Sequence, residues 1–261
     1  MTRLFLFLSL ITPLMAQLTD VQKEEFLLNA KVERTRGAGV GSTQPLRATL
    51  SDGDMTHDAG VQRINESAPV KDLPTGRQIN FRDYWAFNVA AYQLDRLLGL
   101  GIVPVTVERK FRRERMSFSW WVDDVVMMEL DRYQKNVAPP DLAAWNRQMN
   151  RVRVFNQLAY NTDPNLGNVL IDKDWKIWLI DYTRAFRVQG ELLKPEGLTM
   201  IDGKLLASMR AMTPATVKAA MGDTLTKREQ RALLERRDKI VQLFDEKIAT
   251  QGTEAIVYDE P

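Results

Sequence analysis

The spacing of apolar positions changes several times along the chain, and each change predicts an element. Leu4 to Leu14 form an apolar run interrupted only by Ser9, Thr12 and Pro13. Residues 19–34 read as a short helix, with Thr19 placed to cap it, Asp20 in the first turn, and Phe26, Leu27 and Ala30 at helical spacing. The stretch Gly37-Ala38-Gly39-Val40-Gly41-Ser42 then leads into Leu46-Arg47-Ala48-Thr49-Leu50, which reads as a strand, and Ala59–Ile64 reads as another beyond the turn Ser51–Asp54. Residues 65–80 are polar and carry Pro69, Pro74 and Gly76, which predicts a loop. Asp83 is placed to cap a long helix whose apolar face is Phe87, Ala90, Ala91, Leu94, Leu97 and Leu98, closed by Gly99.

Val103–Glu108 and Ser117–Val122 read as strands on either side of a turn, Arg109–Met116. Pro139-Pro140-Asp141 opens a helix with Trp145, Met149, Val152, Phe155 and Leu158 inward. A loop follows residue 160, and Val169–Ile171 with Lys176–Ile180 predicts a β-hairpin. Thr226 followed by Glu229 is a capping box for a last helix carrying Leu233, Ile240, Val241, Phe244 and Ile248. Glycine-rich loop and strands, then a helix, then strands, then a mostly helical second half: that order predicts two lobes.

The first apolar run reads as an export signal. Arg3 supplies a positive start, and Leu14-Met15-Ala16 offers a small residue before the polar Gln17-Leu18-Thr19-Asp20, so residues 1–16 are expected to be removed. The run is shorter than the roughly 20 residues that span a bilayer. The mature protein is therefore expected to be periplasmic or secreted and not an integral membrane protein.

Composition narrows the chemistry. Among 261 residues there is no cysteine and one histidine, His57, which excludes disulfide scaffolds, thiol nucleophiles and Cys/His zinc sites. Lys plus Arg is 36 against 34 for Asp plus Glu, so no bulk charge favours nucleic acid, and none is expected as a partner. Carboxylates and amides must carry any reaction.

One segment has the layout for it. Asn161-Thr162-Asp163-Pro164-Asn165-Leu166-Gly167-Asn168 follows a helix, and the predicted hairpin then returns the chain to Asp181 beside Asn168. Phosphoryl transfer uses such a set, in which one carboxylate orients or deprotonates an acceptor hydroxyl. An amide oxygen and a second carboxylate hold magnesium against the phosphates. Taken singly, an Asn/Asp/Pro/Gly loop is a common turn and a strand-ending Asp a common cap; their order is what carries the reading.

With Asp163, Asn168 and Ile180-Asp181-Tyr182-Thr183-Arg184-Ala185-Phe186, the chain resembles the atypical branch of the kinase-like superfamily. That branch includes type II phosphatidylinositol 4-kinases, HipA-like kinases and the secretory-pathway (Golgi casein kinase) family. The likeness is strongest to bacterial exported kinase-like proteins and extends to Ala90-Ala91-Tyr92, Leu97–Leu100 and Val103–Arg109. The resemblance implies Asp163 as the catalytic acid/base and Asn168 and Asp181 as ligands of Mg²⁺ or Mn²⁺. It implies Gly37, Gly39, Gly41 and Ser42 over the phosphates of ATP or another nucleotide, and Trp121 and Val122 facing the base.

The sequence also departs from that pattern. Pro164 stands where the family has an Arg that ties the loop to other elements. The strand Lys and helix Glu that position the phosphates align with Gln62 and Asn88, two neutral side chains able to hydrogen-bond, while Arg47 and Arg63 are candidate substitute cations. Of the remaining features, Glu108–Arg115 reads as a solvated hairpin tip and His57 as part of a polar turn. Asp123-Asp124 reads as either a loop or a metal pair, and the tryptophans at 120, 121, 145, 175 and 178 as packing residues.

The expectation is an α+β, two-lobed, protein-kinase-like fold: a β-rich lobe with one long helix at 17–122 and a mainly helical lobe at 123–261, joined by a linker around 122–140. The expected function is an exported, metal-dependent phosphotransferase using ATP, its acceptor open among protein, lipid, sugar and small molecule. The alternatives are a pseudokinase that binds nucleotide or metal without efficient transfer, and a non-enzymatic interaction module on the same scaffold.

Overall fold

The computed structural model describes residues 18–39, 45–73 and 76–259, so the expected export signal lies outside the described residues. Helix α1 (Asp20–Asn29) starts at a capping box between Thr19 and Gln22 and ends well before residue 34. Ala30 turns extended, and Lys31–Gly37 becomes strand β1, in which Val32 and Thr35 are half-buried between exposed polar residues. The three-residue spacing of these two positions spans a shift in register between Val32 and Arg34, and β1 pairs antiparallel with β2 (Leu46–Ser51). Strand β3 (Thr56–Gln62) starts earlier and ends earlier than 59–64, and takes His57 out of the expected turn.

Residues 65–80, expected as a loop, are mostly a ribbon of β4 (Asn65–Leu73) and β5 (Gly76–Tyr84). Ala68 faces Phe81 and Val70 faces Ile79 across it, leaving Pro69 opposite Asn80, whose φ is 53°. A two-stranded ribbon has only edge strands, where the missing proline N–H costs no ladder bond. Helix α2 (Ala86–Leu98) begins at Trp85 without any side-chain cap, so Asp83 does not serve as one. Its apolar face is as expected, and Gly99 closes it at φ 71°. An L side chain there is strained by about 1–2 kcal/mol. Gly99→Ala should lower the unfolding free energy by that amount, read as a lower denaturant midpoint with an unchanged m-value; an unchanged midpoint would show the left-handed turn to be dispensable.

Strands β6 (Thr106–Phe111) and β7 (Glu114–Trp120) run closer to their turn than the sequence suggests. Arg112 (φ 49°) and Arg113 (φ 72°) make a two-residue turn with both φ positive, the geometry that matches strand twist. Glu108 and Arg115 pair across the strands, and Phe111 meets Phe118 edge-on at 6.0 Å.

The first sheet is antiparallel in the order β1-β2-β3-β7-β6. Ala48, Leu50, Ala59, Val61, Phe118 and Trp120 are buried in one core with Phe26 and Leu27 of α1, and Phe26 meets Trp120 edge-on at 5.8 Å. The alternate positions, Arg47, Thr49, Asp58, Gly60, Gln62, Ser117 and Ser119, make the opposite face almost wholly polar.

The stretch expected as a linker holds β8 (Val125–Met128) and α3 (Glu129–Gln134). Asp141 caps α4 (Leu142–Leu158), which buries Trp145, Val152, Phe155 and Leu158, with Met149 half-buried. The predicted hairpin is present as β9 (Val169–Asp172) and β10 (Ile177–Leu179), and β8 joins it to give the order β10-β9-β8. Beyond it come β11 (Ile201–Asp202), α5 (Gly203–Ala211), α6 (Pro214–Met221), α7 (Lys227–Gln251), α8 (Thr253–Ile256) and β12 (Val257–Tyr258). The capping box Thr226/Glu229 starts α7 as expected, and β11 pairs in parallel with β12. Leu233, Ile240 and Phe244 of α7 are buried, with Val241 and Ile248 packed partly buried beside them. Among the described residues no helix is long and apolar enough to cross a membrane.

Candidate functional site

The β9–β10 hairpin builds the centre of the site. Asn165 accepts from Gly167 N at 2.8 Å and caps a 3-10 turn, Leu166–Asn168, that delivers Asn168 to the start of β9. Ile180 N donates to Asn168 O at 3.0 Å, so Asn168 lies across from the residue before Asp181. Asp181 leaves the strand with φ 58°, a sparsely populated conformation for a non-glycine residue, and accepts from Thr183 Oγ1 at 2.9 Å. Burial raises its carboxyl pKa above the ordinary value, and the negative charges of Asp83 and Asp163 push the same way against the Thr183 bonds.

Asp163 is fixed from two directions. Its backbone N–H donates to Asn161 Oδ1 at 3.0 Å, and Thr162 Oγ1 donates to Arg184 O at 2.8 Å. Its Oδ2 accepts from Arg184 Nη1 at 3.0 Å, while Arg184 Nε donates to Asp83 Oδ2 at 2.9 Å. Arg184 thus reaches the loop carboxylate from the segment after Asp181 and supplies a tie that Pro164 cannot. The Arg-Ala-Phe ending of the sequence motif contains Arg184 but carries no sign of this contact. For Asp83, 101 residues away in the chain, it held none, and its placement before a helix pointed to a cap.

On the polar face of the first sheet, Gln62 is buried directly opposite Ser117. Asn88 of α2 donates to Ser117 Oγ at 3.4 Å and accepts from Tyr182 N at 2.7 Å. The two neutral residues are therefore brought to one place around Ser117, and Asn88 joins that place to the peptide after Asp181. Arg47 also lies on the polar face, but its guanidinium donates to Asp58 Oδ2 at 2.5 Å and stacks on Trp121 at 4.1 Å. Asp58 accepts from Thr49 Oγ1 at 2.6 Å as well. These bonds and Arg47 hold its pKa down against burial. Arg63 is exposed.

Trp121 sits over Gly60, where an added Cβ would meet the indole at 4.0 Å, and Val122 follows it half-buried. Gly37 ends β1 and Gly39 has φ 80°; Ala38 N donates to Pro45 O at 2.9 Å and closes the base of the β1–β2 connection. Gly41 and Ser42 lie outside the described residues. Asp123 and Asp124 are divided between partners, His57 for the first and Lys173 for the second. His57 itself stacks on Trp120 at 3.7 Å. Trp145 and Trp175 meet edge-on at 5.9 Å, and Trp178 Nε1 donates to Asp172 Oδ2 at 2.9 Å.

The oxygen-only donor set of Asn168 and Asp181 suits a hard divalent cation, and a positive ion would relieve the unfavourable charge on Asp181. Among the described residues no group of three or more His, Cys, Asp or Glu could hold a metal. Two protein ligands are what Mg²⁺ uses when substrate phosphates and water complete its shell.

The sequence matches no protein-family model and no curated protein. The fold is similar to that of solved kinases. A hydra Fam20 structure with sugar matches at TM-score 0.69 and 12% identity, covering 92% of each chain. The Golgi casein kinase with Mn/ADP bound matches at TM-score 0.64 and 13% identity over 93% of this chain and 80% of that one. The Helicobacter pylori proinflammatory kinase CtkA matches at TM-score 0.51 and 12% identity over 87% of this chain and 97% of that one. The shared feature is the two-lobed, kinase-like fold.

Proposed function

We propose that this chain is an exported phosphotransferase that uses ATP with Mg²⁺ or Mn²⁺. The observation that carries the reading is the convergence of Asp163, Asn168 and Asp181 at one end of the β9–β10 hairpin, beside the polar face of the first sheet. A bound divalent ion would screen phosphate charge and orient the transferring group. Asp163 accepts the acceptor's hydroxyl proton or orients that hydroxyl, and Arg184 holds its carboxylate in place through an ion pair at 3.0 Å. Asn168 and Asp181 would hold the ion, and Gln62 and Asn88 supply neutral hydrogen-bonding groups where an ammonium–carboxylate pair is used elsewhere. The Golgi casein kinase bound to Mn/ADP supports nucleotide and metal as ligands of this fold.

A second reading, nucleotide binding with little transfer, is favoured by one observation: Arg47, one of the two candidate substitute cations, is already paired with Asp58. A thermal-shift titration with ATP, with and without Mg²⁺ or Mn²⁺, tests what both readings share. At about 100 times Kd the ligand adds about 2.7 kcal/mol, a rise of roughly 5–10 °C for a chain of this length. Asp181→Asn should remove the metal dependence of that rise. No shift with any nucleotide or metal would overturn both readings; a shift without phosphate release or transfer would leave only the second.

A further inference from the structure

The segment after Asp181 is laced to the β5–α2 junction residue by residue. Tyr182 N donates to Asn88 Oδ1 at 2.7 Å, and Tyr84 N to Thr183 O at 2.8 Å. Arg184 pairs with Asp83, and Arg187 Nη1 donates to Arg82 O at 2.8 Å. The same segment carries the loop of Asp163: Thr162 Oγ1 donates to Arg184 O at 2.8 Å, and Phe186 N to Ala159 O at 2.7 Å. A path of direct bonds therefore runs from Asp83 on one lobe, through Arg184, to Asp163 on the other.

Asp83 is suited to control that path. It is 1% exposed, and its Oδ1 is buried without a hydrogen-bond partner, so its charge is committed to Arg184 through Oδ2. Desolvating a carboxylate costs several kcal/mol, and an apolar or amide residue would fill a strand end with less penalty. An acid at this place is explained by what Arg184 does next. The Arg184 guanidinium is a rigid planar fork, and Asp83 on Nε fixes its plane so that Nη1 meets Asp163 Oδ2. Without Asp83 the guanidinium is free to rotate onto Asp163 or Asp181, whose charges both act on it.

We propose that Asp83 is a positioning residue for the loop carboxylate Asp163, acting through Arg184, and that the β4–β5 ribbon is the part of the fold that installs it. The proposal rests on the phosphotransferase reading for its kinetic consequence, but not for its structural one. Two readouts on the full chain separate them. In phosphate transfer from ATP, Asp83→Asn is expected to lower kcat about tenfold to a hundredfold with KM for ATP within about twofold, and Asp83→Glu to recover part of the loss. In amide hydrogen exchange without nucleotide, Asp83→Asn should speed exchange across 161–165 about tenfold or more while α7 amides stay unchanged, and Asp83→Glu should restore protection.

A wild-type protein without transfer, together with faster loop exchange in Asp83→Asn, would overturn the enzyme reading and uphold the positioning role. Unchanged loop exchange in Asp83→Asn would overturn the proposal whatever the activity. Faster exchange over the whole chain, α7 included, or no recovery by Asp83→Glu, would also overturn it, because either outcome marks Asp83 as a fold residue only.

Discussion

Asp163→Asn is expected to reduce phosphate transfer by about 10²–10⁴-fold while leaving nucleotide affinity within about twofold. The substitution keeps the shape of the side chain and its neighbours, since Asp163 N still donates to Asn161 Oδ1 and Thr162 Oγ1 still donates to Arg184 O. What it removes is the negative charge that accepts a proton from an acceptor hydroxyl. Arg184 keeps its pair with Asp83, so no cation is stranded and the fold should stay within about 1 kcal/mol of the wild type. Single-turnover transfer measured beside the Kd for ATP reads both terms. Turnover of Asp163→Asn within about threefold of wild type would show that this carboxylate has no part in the reaction.

The largest effect on stability should come from α7. Arg236 is fully buried, and its guanidinium donates to three backbone carbonyls, Leu158 O at 2.8 Å, Arg187 O at 3.0 Å and Gln189 O at 2.6 Å. It joins the end of α4 to the segment that follows Asp181. Burial lowers its pKa to about 10, so it stays charged at neutral pH, with the Tyr160 ring at 5.3 Å on its side. Arg236→Met would leave those carbonyls without their donor in a dry interior. An expected loss of about 3–5 kcal/mol follows, equivalent to roughly 6–20 °C in Tm. Arg236→Lys should recover little, because a single ammonium cannot span three acceptors as a planar fork does. Denaturant melts of the two variants check this; a loss below about 1 kcal/mol would show that water replaces the guanidinium without penalty.

Much of the framework was legible because short-range chemistry fixed it. The boxes at Thr19 and Thr226, the stop at Gly99, the cap at Asp141 and the β9–β10 hairpin all depend on residues within a few positions of each other. The Asp163–Asn168–Asp181 geometry belongs with them, since one turn and one hairpin create it. Lys31–Arg34 failed as the end of a helix because the partner strand β2 decides their state, and helical spacing upstream gave no sign of that partner. Residues 65–80 failed as a loop because prolines mark loops in general, whereas a ribbon with only edge strands tolerates them. Asp83 and Arg184 show the limit most clearly. Their meeting joins positions 101 residues apart in the chain, and nothing at Asp83 announces it.

Helix α2 is fastened to the β10 segment at both ends. Asn88 near its start holds the peptide after Asp181, and just past its close Leu179 N donates to Ile102 O at 2.8 Å, with Ile102 N in turn donating to Asp95 Oδ1 at 3.0 Å. Helix and hairpin are therefore bonded directly to one another at both ends of the helix. Swinging α2 outward, a way to switch off a two-lobed enzyme, would here tear Asp181 from its place. The rim strand β1, by contrast, is paired on one side alone and keeps mostly exposed side chains, so displacing it breaks fewer bonds than displacing α2.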